Sequence, residues 1–111
     1  MKIRQGFVSN SSSSSFIISE ETYNNSNENY KKLIDKLFYK AKAQDIVMKD
    51  EWYDSIQEYY DEYEEEGYQP PLFKYCKNDE YIYFREMEMD ESDMLHTVLK
   101  TLDIKYELEE H

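Results

Sequence analysis

The spacing of apolar residues changes along the chain, and each change marks a boundary. Phe16-Ile17-Ile18 is a brief apolar run in β-favouring residues and predicts a short buried strand. The polar stretch from Glu20 to Asn25 closes it. Ser26 stands where a helix cap belongs, ahead of Tyr30, Leu33, Ile34, Leu37, Phe38 and Ala41, which recur at i, i+3, i+4, i+7, i+8 and i+11 as one helical stripe. The pattern blurs between Ala43 and Lys49. Asp50 can then cap a second helix that turns Trp52, Ile56, Tyr59, Tyr60 and Tyr63 inward and ends near Gly67, after which Pro70-Pro71 excludes further helix.

Beyond the prolines the period shortens. Leu72 to Cys76 and Tyr81 to Met89 are β-rich, and Lys77-Asn78-Asp79-Glu80 between them predicts a hairpin turn. Asp90 or Ser92 can cap a third helix with Met94, Leu95, Val98, Leu99 and Leu102 as its apolar stripe. A last strand is expected from alternation, with Ile104, Tyr106 and Leu108 on one face and Lys105 and Glu107 on the other. The order β-α-α-β-β-α-β predicts an α+β domain over residues 16–111: an antiparallel sheet with two packed helices, ferredoxin-like (βαββαβ), with an extra acidic helix in the first crossover. Residues 1–15, ending in the run Ser11 to Ser15, have the composition of a flexible Ser-rich arm.

Size and charge narrow the function classes. A chain of 111 residues suits one domain, and no apolar run reaches the ~20 residues of a spanning helix. The single cysteine, Cys76, cannot close an internal disulfide, which fits a reducing cytoplasm, and the first residues lack a signal-peptide core. Asp plus Glu number 25 against 13 Lys plus Arg, for a net charge of −12. Phosphate backbones and anionic membranes should therefore repel the domain. Ala, Gly, Pro and Arg occur only twice each while Lys, Asn, Ile and Tyr abound, a bias of AT-rich codons that weakens the tyrosine count as a functional signal.

The acid is concentrated. From Asp50 to Glu66 there are nine carboxylates and no Lys or Arg before Lys74. Asp50, Asp54, Glu58, Asp61 and Glu65 recur at steps of three and four, which predicts one stripe on a helix about 25 Å long. Like charges at that spacing repel by roughly 0.2–0.5 kcal/mol per pair, and Glu64-Glu65-Glu66 opposes the helix dipole. A solvated face in an acidic protein would need no more explanation. A basic partner, however, would relieve the repulsion. Asp50, Glu51, Tyr53, Asp54, Glu58, Tyr60, Asp61, Glu62 and Glu65 are therefore the expected partner-binding residues, with Tyr53 off the inward stripe and Tyr60 at its margin as interface aromatics.

Other chemistry has little material. No D-x-[DN]-x-[DN]-G loop occurs, and neighbouring carboxylates on a helix diverge, so no metal site is expected. His96 and His111 have no second His or Cys at ligand spacing. Cys76 and His96 could pair only across the fold, and Cys76 suits the role of a small buried apolar residue better. With two glycines the chain has no phosphate-cradling loop and no G-x-S-x-G. Neither an enzyme nor a cofactor is expected.

The arm carries a recognisable pattern. Arg4, Gly6-Phe7-Val8-Ser9-Asn10, the run Ser11, Ser12, Ser13, Ser14, Ser15 and then Phe16 resemble an R-x-G-F-V-S-N-S-S-S-S-S-F head on small, otherwise dissimilar phage and bacterial proteins. The resemblance spans about residues 1 to 18 and implies kinship with phage-associated proteins rather than an activity. Phe7 and Ser11 to Ser15 are the expected residues for arm docking or modification, because added phosphate would change any docking. The sequence thus predicts a cytoplasmic, non-catalytic, phage-associated protein that engages a basic protein surface. A nucleic-acid-mimic inhibitor of a host nuclease is the concrete form, with no direct contact to nucleic acid or membrane. An assembly adaptor acting through its arm is the alternative. A sheet edge or tyrosine face would support a homodimer, and nothing in the sequence selects one.

Overall fold

A computed structural model describes residues 13–49, 53–76 and 80–110. Four strands, β1 (Ser13–Ser19), β2 (Tyr39–Lys42), β3 (Tyr81–Glu88) and β4 (Glu107–Glu110), form one sheet in the order β2-β3-β1-β4 with every neighbour antiparallel. The helices are α1 (Glu20–Asn25), α2 (Glu28–Leu37), α3 (Ala43–Lys49), α4 (Ile56–Glu65), α5 (Phe73–Cys76) and α6 (Met89–Thr101). The class is α+β, as the sequence pattern suggests.

Helices cover both faces of the sheet. On one, Ile17, Ile82 and Phe84 pack with Ala43 and Val47 of α3, Tyr59 and Tyr63 of α4, Leu72 and Cys76. On the other, Phe16, Ile18 and Tyr83 pack with Ile34 of α2, Phe38, Leu95 and Leu99 of α6 and Ile104. A strand buried on both sides needs apolar residues at consecutive positions rather than alternate ones. That is why Phe16-Ile17-Ile18 is an unbroken apolar run.

Several boundaries differ from the sequence reading, each for a local reason. β1 begins at Ser13, not Phe16, because Ser13, Ser14 and Ser15 pair with Glu88, Met87 and Glu86 of β3. The domain therefore includes part of the serine run. Asn27, not Ser26, caps α2 by accepting a hydrogen bond from the Tyr30 N–H at 2.9 Å, since Ser26 closes α1 by donating to the Thr22 carbonyl at 2.8 Å. Glu20 to Asn25 is helical for the same kind of reason: the Ser19 side chain accepts from the Thr22 N–H at 3.1 Å. Helix α2 stops at Leu37, so Ala41 lies in edge strand β2 rather than on a helical stripe. As a result the acidic helix sits between β2 and β3 and not in the first crossover. Leu72 to Cys76 is not a strand either: the residues after Pro70-Pro71 close a helical turn, with the Cys76 N–H donating to the Leu72 carbonyl at 2.9 Å.

Two helix ends use the same device. The Tyr68 N–H donates to the Tyr63 carbonyl and the Gly67 N–H to the Glu64 carbonyl, both at 3.0 Å, around Gly67 at φ 70°. This is a Schellman cap, completed by the Tyr63–Tyr68 ring contact. At the end of α6, the Ile104 N–H donates to the Leu99 carbonyl and the Asp103 N–H to the Lys100 carbonyl, around Asp103 at φ 56°. Ile104 packs against Leu99 there, so its burial belongs to a cap and the last strand starts only at Glu107.

Candidate functional site

Helix α4 starts where the sequence writes Ser55-x-x-Glu58. The Ser55 hydroxyl accepts from the Glu58 N–H at 3.1 Å, and the Glu58 carboxylate accepts from the Asp54 N–H at 2.6 Å. This cap sets the start at Ile56, later than Asp50 would have placed it, with the Glu58 carboxylate reaching the residue before the N-cap rather than the N-cap N–H itself. The helix is correspondingly short. At 100° per residue Glu58, Asp61, Glu62 and Glu65 occupy an arc of about 100°, opposite the inward Tyr59 and Tyr63. Among the described residues no lysine, arginine or histidine lies within ion-pair distance of these four. Asp61 accepts from Gln57, one turn before it, at 2.9 Å. No basic residue stands in the last turn of α4.

The expected partner-binding set is thus divided. Glu58, Asp61, Glu62 and Glu65 come together as a ridge. Asp54 is exposed on the bend before the cap, apart from the helix. Asp50 and Glu51 lie outside the described residues. Tyr53, expected as an interface aromatic, is instead core at 4% exposure, its ring edge-on to Tyr59 at 5.2 Å. Tyr60 is half-buried against Phe73, ring centroids 4.5 Å apart. A cluster of edge-on and tilted rings, Tyr53, Tyr59, Tyr63 and Phe73, therefore supports the ridge from beneath. The arm divides too. Phe7, Ser11 and Ser12 lie outside the described residues, whereas Ser14 and Ser15 are buried in β1, where no modifying enzyme reaches them without unfolding the strand.

A second feature escaped the sequence reading. Beneath α4 a cavity of about 240 Å³ opens between α3, α4 and the sheet, lined by Lys49, Tyr59, Tyr63, Phe84, Glu86 and Glu109 among others. Pairing makes this end of the sheet polar: Ser15 of β1 lies between Glu86 of β3 and Glu109 of β4. Glu109 is 4% exposed. The Tyr59 hydroxyl is buried with no hydrogen-bond partner among the described residues. Burial first, then the charge of Glu109, pushes the Tyr59 phenol above its ordinary range. The same two causes push the Cys76 thiol up to about 12. No signal in the sequence marks this place, because Glu86 and Glu109 come to flank Ser15 only through strand pairing.

The remaining candidates stay apart. Cys76 lies in the layer with α4, whereas His96 on α6 shares a hydrogen bond with the Tyr106 hydroxyl. A raised thiol is the reverse of what a nucleophilic cysteine requires. Glu107 receives a hydrogen bond from the Tyr75 hydroxyl at 2.9 Å and pairs with Lys74. Among the described residues no group of three His, Cys, Asp or Glu side chains could hold a metal ion, and no helix is long and apolar enough to cross a membrane. The chain matches no protein-family model, no curated protein and no solved structure.

Proposed function

We propose that the protein is a cytoplasmic, phage-associated, non-catalytic binding module whose acidic ridge on α4 engages a basic surface of another protein. The observation that carries this reading is the set Glu58, Asp61, Glu62 and Glu65, which share one outward arc with no cation of the described chain to meet them. Water and salt must screen that repulsion in the isolated domain, and a cationic partner would convert it into attraction. Geometry favours a groove built for nucleic acid. From Glu58 to Glu65 the helix rises about 10 Å, with successive charges about 4.5, 1.5 and 4.5 Å apart along the axis, a mean of ~3.5 Å that compares with 3.4 Å per phosphate along one strand of DNA. A nucleic-acid-binding partner would then meet carboxylates where it expects phosphates.

The fold reading consistent with this is ferredoxin-like, supported by the antiparallel order β2-β3-β1-β4 and by helical crossovers from β1 to β2 and from β3 to β4. Helices α3 to α5 are then an insertion between β2 and β3 that carries the ridge.

The test compares capture from host lysate by the native chain and by the triple variant Asp61→Lys/Glu62→Lys/Glu65→Lys, followed by affinity measurements on the retained protein. Binding that is lost in the variant, falls steeply with salt and competes with duplex DNA supports the reading. A partner held equally by both chains, or indifferent to salt, overturns it.

A further inference from the structure

The sheet is one strand narrower at one end, and the space left there is a cleft. β3 accompanies β1 as far as Ser19, whereas β4 accompanies it only from Ser14 to Ile17. The cause lies at the end of α6, where the cap around Asp103 turns the chain and Ile104 packs against Leu99, so the last strand joins the sheet only at Glu107. Between this crossing segment, the end of α6 and the start of α1 lies a volume of about 770 Å³, within the 300–1,000 Å³ usual for small-molecule sites. Its buried lining is apolar, namely Ile17, Leu99 and Ile104.

Two rings at the cleft are fixed by hydrogen bonds. The Tyr106 hydroxyl bonds to His96, whose ring stands edge-on to it at 5.5 Å, and the Tyr75 hydroxyl donates to Glu107 at 2.9 Å. Walls already in place spare a guest the entropy of ordering them.

Charge sets the sign of the guest. Lys100 in the last turn of α6 and Lys105 on the crossing segment both line the cleft, both are exposed, and neither has an ion pair among the described residues. Two acids share the lining. Glu107 is already engaged by Lys74 and Tyr75, while Asp103 is exposed without an ion pair among the described residues. Counting histidine as neutral, two lysines against one aspartate leave a single positive charge here, in a chain whose net charge is −12.

We propose that this cleft binds a small organic monoanion, a carboxylate on an apolar body, with the carboxylate between Lys100 and Lys105 and the body against Leu99, Ile104 and the Tyr106 ring. Each ammonium carries three N–H donors on a flexible stem, so two can converge on one carboxylate, and such charge-assisted hydrogen bonds are roughly twice as strong as neutral ones. A second negative charge on the guest would meet Asp103 with no cation to spare. Nucleic acid would bring many such charges and meet the repulsion of the whole acidic chain.

The experiment titrates indole-3-acetate, its neutral counterpart indole-3-acetamide, and plain acetate into the full chain. Amide resonances of Thr22, Leu99, Lys105 and Glu107 report on the cleft, and those of Asp61 and Glu65 serve as a remote reference. The expected result is a saturable shift at the cleft amides with indole-3-acetate only. Lys100→Gln or Lys105→Gln alone should weaken it about threefold and the two together about tenfold, the scale of exposed ion pairs. Lys36→Gln removes a lysine of α2 that is also exposed and without an ion pair among the described residues but lies outside the cleft, and it should leave the affinity unchanged. Absence of a saturable shift overturns the site. So does an equal response to the acetamide, which removes the role of charge, or to acetate, which removes the role of the apolar body. An equal loss in Lys36→Gln overturns it as well, since it would reduce the effect to net charge. The cleft shares no residue with α4, so its failure leaves the ridge reading standing.

Discussion

Replacing Glu65 by Lys should make the isolated domain more stable, because Glu65 closes α4 at the negative end of the helix dipole among like charges. It lies four residues after Asp61 and three after Glu62, and all three are free of ion pairs among the described residues. Each such pair repels by roughly 0.2–0.5 kcal/mol and attracts by as much when one sign is reversed, so two pairs change by about 0.8–2 kcal/mol, with exposed groups at the lower end. A cation in the last turn in place of an anion adds a few tenths more. The sum, about 1 kcal/mol, corresponds to a rise in Tm of roughly 5 °C for a domain of this size. Urea unfolding at 20 mM and 1 M NaCl measures it, since a Debye length of about 3 Å at 1 M should remove most of the gain. Glu58→Lys is the control within the same helix. That change gains the equivalent pairs with Asp61 and Glu62, but it deletes the carboxylate that accepts from the Asp54 N–H and places a cation at the positive end of the dipole, so its gain should be smaller than that of Glu65→Lys by about 1 kcal/mol. No gain in Glu65→Lys at low salt, or an equal gain at both salts, would refute the electrostatic account. A variant that folds better yet loses its partner would show that the ridge is kept for binding at some expense of stability.

Other outcomes follow from the caps, the core and the start of β1. Asp103→Gly should stabilise the chain by roughly 0.5–1 kcal/mol in urea unfolding, because Asp103 holds φ 56° at the end of α6, where glycine is unstrained. An unchanged midpoint would contradict this. Burial and then the charge of Glu109 raise the Cys76 thiol from 9.0 to about 12, so in alkali the unfolded chain loses that proton first. Stability should decline as pH rises from 9 toward 12, and Cys76→Ala should flatten the decline in calorimetry; an identical slope would count against the buried thiol. Deleting residues 2–15 should lower Tm far more than deleting 2–12, because only the longer deletion removes Ser13, Ser14 and Ser15 from their pairing with β3 and, for Ser14 and Ser15, with β4. Equal Tm values would place the start of the strand later than Ser13.

Local signals determined what local physics controls. The apolar triplet Phe16-Ile17-Ile18, the stripes of α2 and α6, the stop at Gly67 and the clustering of acid after Asp50 were all legible, because burial on both faces, helical periodicity, a left-handed cap residue and net charge depend only on nearby residues. Ser55-x-x-Glu58 was equally legible and would have moved the helix start to Ile56. Pairing across distant segments was not legible. Tyr39–Lys42 becomes a strand only because Phe84 to Tyr81 of β3 lie beside it, and serines suited to a linker become strand because β3 and β4 bracket them. Tertiary structure alone also decided that Glu109 is buried while Glu107 meets Lys74 and Tyr75, that Tyr53 joins the core, and that α3 to α5 cover the second sheet face. The reason is that a side chain's environment is set by which strand and which helix come to lie against it. Composition and period can say that a residue will be paired or packed, but not with which distant partner.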